Sequence, residues 1–186
     1  FENKGGYPRP FQNSLPVWIA AGGTPASAVR AANLKLPLAL AIIGGMPGQF
    51  VPFIKLYRQT AERNGQNPDE LQVSINSHVY IAENSNQAAD ELYPAYATMM
   101  NRIGQERGWS PLSRQLFEYS RSPKGALLAG SPQEVIDKIL YEHELFGNTR
   151  FLAQMSMGNI AHHKILKSIE LYGNIVAPAV RKALGK

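Results

Sequence analysis

The chain has 186 residues, 44% of them hydrophobic and 18% charged, a composition typical of globular proteins and not of disordered ones. Its formal net charge is +5, but the basic residues are scattered and form no cluster of the kind that binds nucleic acid. The sequence contains neither a run of about 18 apolar residues nor a signal-peptide pattern, so we expect a soluble, cytoplasmic protein without membrane contact. The lack of cysteine excludes disulfides, thiolate metal sites and cysteine nucleophiles.

The N-terminal region has no hydrophobic periodicity. Residues 1–15 are rich in Gly, Pro, Asn and Ser, and we expect a loop there. The chain starts with Phe1 where an initiator Met would stand, so a fragment or processed product is expected. The length predicts one domain over residues 1–186.

Residues 16–33 predict the first strand and helix. The apolar run over 16–21 ends in a Gly-Gly pair, which is typical of a strand buried on both faces of a parallel sheet. Thr24 is a suitable N-cap and Pro25 suits the first helical position, so a helix is expected to follow at once.

The same pattern returns in the next part of the chain. Leu38–Ile43 predicts a second buried strand, closed by Gly44 and Gly45, and a helix is expected over residues 49–64. Apolar and polar residues alternate over residues 72–82, which predicts a third strand whose two faces meet different environments.

A long helix is expected over residues 84–107. Pro94 lacks an amide hydrogen and its ring crowds the preceding turn, so a kink or a break is expected near Tyr93. Residues 109–128 predict an irregular connection with at most one short helix.

The last part of the chain predicts a fourth strand between helices. Ser131–Glu134 contains a capping box that begins a helix ending near Phe146. A strand is predicted over residues 150–157, and helices over 161–172 and 176–184. Four strands alternating with helices indicate a parallel α/β architecture, either an open doubly wound sheet or half of an eight-stranded barrel.

The turn after the first strand has the features of a phosphate site. Gly22–Ser27 (GGTPAS) combines two glycines, which allow close backbone approach, with a helix start whose first amides lack partners. The hydroxyls of Thr24 and Ser27 lie three residues apart, so both can bind one phosphate. The same residues also suit an ordinary helix N-terminus. The loop is neither a Walker loop nor a dinucleotide fingerprint.

Three segments, in their order and spacing, resemble a known family. Leu15–Leu40, Gly130–Val135 (GSPQEV) and residues 168–178 resemble the phosphate-loop unit, the Gly-Ser/Thr-Pro-x-Glu segment and the C-terminal helices of the bacterial luciferase-like flavin-dependent monooxygenases. The resemblance implies the C-terminal half, strands five to eight, of a (β/α)₈ TIM-type barrel. The active site of such a barrel lies at the carboxyl ends of its strands.

The same resemblance implies a cofactor and its ligands. Reduced FMN is the expected cofactor, with its phosphate held by the amide of Gly23 and the hydroxyls of Thr24 and Ser27. The deazaflavin F420 is the alternative cofactor, because the fold serves both.

Other residues are candidates for lining the pocket. His78 shares a strand face with Asn76, opposite the apolar face, so it either contacts flavin or substrate or forms an interior hydrogen bond. It is the one candidate catalytic residue, and the catalytic residues are otherwise unassigned. Gln154 and Ser156 share a face of the fourth strand and either line the pocket or fill the barrel. The Gly44–Gly45 turn either borders the flavin or the substrate or is a plain tight turn.

No metal site is predicted. His162 and His163 are adjacent, so on a helix they point about 100° apart and cannot bind one ion together. No Ser-His-Asp arrangement supports hydrolysis.

The resemblance implies an enzyme that uses reduced flavin and dioxygen to oxygenate a small organic substrate. A flavin reductase is the implied partner, and this segment alone is expected to be inactive. A non-catalytic flavin-binding protein and an F420-dependent oxidoreductase are the alternatives. Four barrel strands expose two sheet edges and an inner face, so we expect a homo-oligomer or pairing with an N-terminal half.

Overall fold

The fold is an α/β structure built on a parallel sheet. The computed structural model describes residue 5 and residues 7–186; residues 1–4 and 6 of the predicted N-terminal loop lie outside the described residues. The strands are β1 (Ile19–Ala21), β2 (Leu38–Ile42), β3 (Val73–Ile81), β4 (Leu128–Gly130) and β5 (Arg150–Gln154). The helices are α1 (Pro25–Asn33), α2 (Val51–Arg63), α3 (Ser85–Arg107), α4 (Arg114–Ser120), α5 (Pro132–Phe146), α6 (His162–Leu171) and α7 (Ala177–Ala183).

The long strand β3 is the centre of the sheet. Its residues 73–77 pair with β2 and residues 74–78 pair with β5, while residues 79–81 pair with β4. Strand β1 pairs with β2, and every one of these ladders is parallel. The predicted parallel α/β architecture is confirmed, and the carboxyl ends of β1, β2, β3 and β5 lie at one edge of the sheet.

One face of the sheet is covered by helices. Val73 and Ile75 pack with apolar residues of α1 and α2, and Val79 and Ile81 pack with apolar residues of α5 and α7. These four side chains belong to the apolar face predicted from the alternation in β3. This helix-covered face is called the outer face below.

The opposite, inner face is largely uncovered. Leu152 and Gln154 on β5 are exposed, as is Ala20 on β1. Strands β1 and β5 each pair on one side only among the described residues. On the same face of β3, the Oγ of Ser74 and the Oδ1 of Asn76 are buried and lack a hydrogen-bond partner within the described part of the chain. Buried polar atoms normally have a partner, so these two atoms are exceptions on the inner face.

Helices α3 and α4 cover the carboxyl end of the inner face. Tyr80 and Ala82 pack there against buried residues of α3, and Phe117 brings α4 into the same cluster. A kink or a break was expected near Tyr93, and helix α3 is continuous through Pro94, so there is no break. Pro94 is exposed while Leu92 and Tyr96 are buried, and this packing holds the helix on both sides of the proline.

Other elements also differ from the prediction, and the first two strands and the helix after them are shorter than expected. Strand β4 was not expected, and the fourth predicted strand ends at Gln154 and not at residue 157. A π-helical turn, Tyr172–Val176, joins α6 to α7, so the two predicted C-terminal helices form one continuous helical segment. None of the described helices combines the length and the apolar composition that crossing a bilayer requires.

Candidate functional site

The N-terminus of α1 lies directly after the carboxyl end of β1. Thr24 is the N-cap residue, as predicted, but its side chain makes no capping hydrogen bond. The amide of Ser27 donates to the carbonyl of Thr24 at 2.9 Å. Within residues 7–186, the amides of Gly23, Thr24 and Ala26 and the hydroxyls of Thr24 and Ser27 form no hydrogen bond with protein atoms. Three amides and two hydroxyls are therefore free to bind an anion.

The charge at this helix end also suits an anion. The first turn of α1 contains no acidic residue, and the helix dipole adds partial positive charge at this point. Thr24 is exposed and Ser27 is half-buried, so both side chains are reachable from solvent. Amides and hydroxyls at a helix N-terminus are the donors that phosphate sites of proteins use.

Gly23 gives the loop its shape. Its φ is +108°, a conformation that L side chains rarely adopt, and a Cβ here would lie 3.2 Å from Cε1 of Phe50. The Phe50 ring thus packs directly on the backbone of the loop. Phe50 also borders the cavity described next, so loop and cavity share one wall.

A cavity of about 520 Å³ opens at the carboxyl edge of the sheet. Its wall includes Gly22 and Gly44, which follow β1 and β2, together with His78 of β3 and Gln154, the last residue of β5. Helix α3 and the residues after it supply Met99, Met100, Ile103, Arg107 and Trp109. Most of this lining is apolar, as is usual for a small-molecule site.

His78 is the buried polar group of this cavity. Its Nδ1 lies 3.0 Å from the hydroxyl of Tyr96 on α3, and the two rings meet edge to face at 5.5 Å between centroids. Burial lowers the pKa of His78 to about 4 and raises the pKa of Tyr96 to about 12. Both groups are neutral near pH 7, because burial disfavours the charged form of each.

The structure separates the other predicted lining residues into two groups. Gly44 and Gln154 border the cavity together with His78, whereas Gly45, Asn76 and Ser156 do not. Asn76 lies deeper, two residues before His78 on the inner face. Ser156 follows the end of β5, so its predicted place on that strand is wrong.

Sequence reasoning missed the wall that α3 provides. Met99, Ile103 and Arg107 lie one turn apart along α3, a spacing that sequence analysis assigns to any helix packed on a core. Only the position of α3 on the inner face shows that these side chains border a cavity.

The sequence of this chain matches the model of a known protein family. Residues 5–149 match the family described as luciferase-like monooxygenase. The chain belongs to this family. The resemblance found in the sequence is confirmed by this match. No curated protein matches the luciferase-like chain.

Solved structures share the fold of this luciferase-like protein. The monooxygenase RslO1 from Streptomyces bottropensis is 24% identical in sequence and superposes with a TM-score of 0.72. The match covers 93% of this chain and 51% of the RslO1 chain. The oxygenating constituent of 3,6-diketocamphane monooxygenase from Pseudomonas putida, in complex with FMN, is 19% identical with a TM-score of 0.61, over 88% of this chain and 48% of its own. The coenzyme F420 dependent tetrahydromethanopterin reductase from Methanopyrus kandleri is 19% identical with a TM-score of 0.61, over 89% of this chain and 51% of its own.

These three likenesses extend over nearly the whole chain but over only about half of each solved structure. At such identities they show a common fold. Among the neighbours, one is bound to FMN and another depends on F420, so members of this fold use either cofactor.

Proposed function

We propose that this chain is the C-terminal half of a luciferase-like (β/α)₈ barrel and holds the phosphate of reduced FMN in a flavin-dependent monooxygenase. The observation that carries the proposal is the group of free donors at the start of α1, beside an apolar cavity at the carboxyl edge of the sheet. Ligand sites of α/β barrels lie at that edge.

Each proposed phosphate ligand has a defined role. The amides of Gly23 and Ala26 and the hydroxyls of Thr24 and Ser27 donate to the phosphate oxygens. Hydrogen bonds to a charged acceptor contribute about 1.5–3 kcal/mol each, more than bonds between neutral groups. Phe50 contacts the loop and also lines the cavity, so the proposed phosphate site and the cavity are neighbours.

The remaining residues bind the substrate and exclude water. Reduced flavin, when bound, supplies the electrons for dioxygen activation. Met99, Ile103 and Trp109 form an apolar wall that keeps water from the reacting groups. The neutral imidazole of His78 offers a hydrogen bond without adding charge to this wall.

Completion of the barrel belongs to the same proposal. The inner face is uncovered, β1 and β5 have free edges among the described residues, and the chain covers about half of its structural neighbours. Strands one to four, supplied by an N-terminal segment or a second subunit, would pair with both edges. The completed protein receives reduced flavin from a reductase and oxygenates a small organic substrate, whereas this half alone is inactive.

The test compares ligands that differ in their phosphate group. The full chain is titrated with FMN, riboflavin and F420 while flavin fluorescence is recorded. We expect FMN to bind at least about tenfold more tightly than riboflavin, since tenfold corresponds to 1.4 kcal/mol and less than one charged hydrogen bond. Thr24→Ala combined with Ser27→Ala removes two of the proposed donors and should weaken FMN binding at least about tenfold without changing riboflavin binding, whereas Ser156→Ala, at an exposed residue outside the cavity, should change neither.

The other outcomes separate the alternatives. Equal binding of FMN and riboflavin would contradict the phosphate site. Tighter binding of F420 than of FMN would favour an F420-dependent oxidoreductase. Flavin binding by the completed barrel without oxygen consumption would favour a non-catalytic flavin-binding protein.

A further inference from the structure

The cavity beside the phosphate loop presents one well-defined hydrogen-bonding group. His78 is 4% exposed and lies in β3 opposite Gln154, the last residue of β5, where it lines the cavity. A hydrogen bond of 3.0 Å joins Nδ1 of His78 to the hydroxyl oxygen of Tyr96. The edge-to-face contact of the two rings fixes the plane of the imidazole. The other nitrogen, Nε2, bonds to no side chain or backbone group in the described ranges.

The position of the imidazole proton follows from Tyr96. This phenol has no acceptor other than His78 within residues 7–186, and a buried hydroxyl left without an acceptor is costly. The phenol therefore donates to Nδ1. In a neutral imidazole the other nitrogen then carries the hydrogen, so Nε2–H is a donor.

The chemical character of the other lining residues indicates which kind of ligand this donor would bind. Apolar side chains dominate it, and Gln154 is the second neutral polar side chain. Arg107 is the one charged residue of the lining, and its guanidinium lies 5.2 Å above the ring of Trp109. Because the lining is mostly apolar and His78 is its buried donor, it suits a mostly apolar molecule that carries an oxygen acceptor.

We propose that His78, positioned by Tyr96, donates from Nε2 to a carbonyl-type oxygen of an otherwise apolar substrate. This inference rests on the proposed function, because it places the substrate in the cavity beside the FMN phosphate site. His78 is a specificity-determining residue in this proposal, and Tyr96 is a positioning residue that sets the imidazole tautomer.

The test uses two probes of similar shape, acetophenone and ethylbenzene, which differ in the carbonyl oxygen. Binding to the full chain is measured by calorimetry with and without saturating FMN. We expect acetophenone to bind roughly three- to tenfold more tightly, the equivalent of one net hydrogen bond. His78→Phe should abolish this preference and leave ethylbenzene binding within about twofold, and His78→Gln, which keeps a donor, should restore part of it.

A second readout concerns the tautomer alone. The chain has four histidines, so ¹⁵N spectra of the imidazoles resolve His78 after assignment with His78→Gln. We expect a neutral Nε2–H form whose nitrogen signal moves with acetophenone and not with ethylbenzene. Tyr96→Phe should give a mixture of tautomers and a smaller preference for the ketone.

Other results contradict either the donor role of His78 or the proposed function on which it rests. Equal affinity of the wild type for both probes, or equal loss of both in His78→Phe, would mean that the side chain only fills space. Loss of FMN affinity in His78→Phe with the ketone preference intact would assign the acceptor to the flavin. A ketone preference without any FMN binding would sink the proposed function but not the donor role.

Discussion

Glu142 lies one helical turn beyond Lys138 on the buried side of α5, and the two residues are 1% and 5% exposed. The Nζ of Lys138 donates to the carbonyls of Ser122 and Leu127 at 2.9 and 2.5 Å and to Arg121 at 3.4 Å. Glu142 accepts a long hydrogen bond of 3.3 Å from Ser77. Burial raises the pKa of Glu142 to about 7, against the opposing effects of Ser77 and Lys138.

The raised pKa makes Glu142 a source of pH-dependent instability. Between its ordinary value of 4.5 and about 7, the folded state binds more protons than the unfolded state, so stability falls as pH rises. Glu142→Gln should flatten this dependence and increase the free energy of unfolding at pH 8 by roughly 1–3 kcal/mol. Urea unfolding of the wild type and the variant at pH 5 and pH 8 measures both free energies of unfolding.

The matched control is Glu144→Gln on the exposed side of the same helix. It should change the free energy of unfolding by less than about 0.5 kcal/mol at both pH values. A wild-type stability that stays constant between pH 5 and pH 7 would contradict the role of Glu142.

Lys138 stabilises the connection between α4 and β4. Lys138→Met removes the donor to three carbonyls and leaves the buried carboxyl without its nearest cation, so unfolding should require roughly 2–4 kcal/mol less at pH 7. Faster hydrogen exchange over residues 121–127 should accompany the loss. Lys124→Met, at an exposed position of the same connection, should change neither the free energy of unfolding nor the hydrogen exchange. Unchanged exchange in the Lys138 variant would refute this assignment.

The phosphate loop offers a test of backbone conformation with a neighbouring control. Gly23→Ala introduces a Cβ at a φ of +108° and 3.2 Å from Phe50, so we expect a loss of about 1 kcal/mol in stability. Gly22→Ala meets no heavy atom within 4 Å and should cost clearly less. Thermal unfolding of the two variants compares them, and equal melting temperatures would show that Gly23 is not strained.

Ser168 ties α6 to the sheet through a single buried hydrogen bond. The amide of Ile81 donates to its Oγ at 2.8 Å, and Ser168 is fully buried. Ser168→Ala leaves that amide without a partner and should destabilise the fold by about 1–3 kcal/mol. Ser156→Ala, which removes an exposed hydroxyl, serves as the control in the same denaturant series. Equal stability of both variants would indicate that water replaces the lost acceptor.

The local pattern of the sequence determines much of this fold. Apolar runs closed by glycine predicted β1 and β2, and the alternation over residues 72–82 predicted β3, because strand periodicity survives any tertiary arrangement. The capping box at Ser131 is present: the Ser131 hydroxyl accepts from the Glu134 amide, and the Glu134 carboxylate accepts from the Ser131 amide. These signals depend only on near neighbours in the chain.

What the sequence did not predict depends on contacts between distant segments. Strand β4 has three residues, and only its pairing with the end of β3 makes it a strand. The break expected at Pro94 is absent because buried residues on both sides hold α3. The apolar wall of the cavity follows from the same packing of α3, so half of the candidate site was invisible to periodicity.

Trp109 follows Gly108, the glycine that caps the C-terminus of α3, and packs against Gly104. A Cβ added at Gly104 would lie 3.3 Å from the Cβ of Trp109. The chain contains only two tryptophans, and this one is half exposed at the mouth of the cavity. A ligand in the cavity should therefore change the emission of this indole, a signal that needs no attached dye and is read against the constant emission of the second tryptophan.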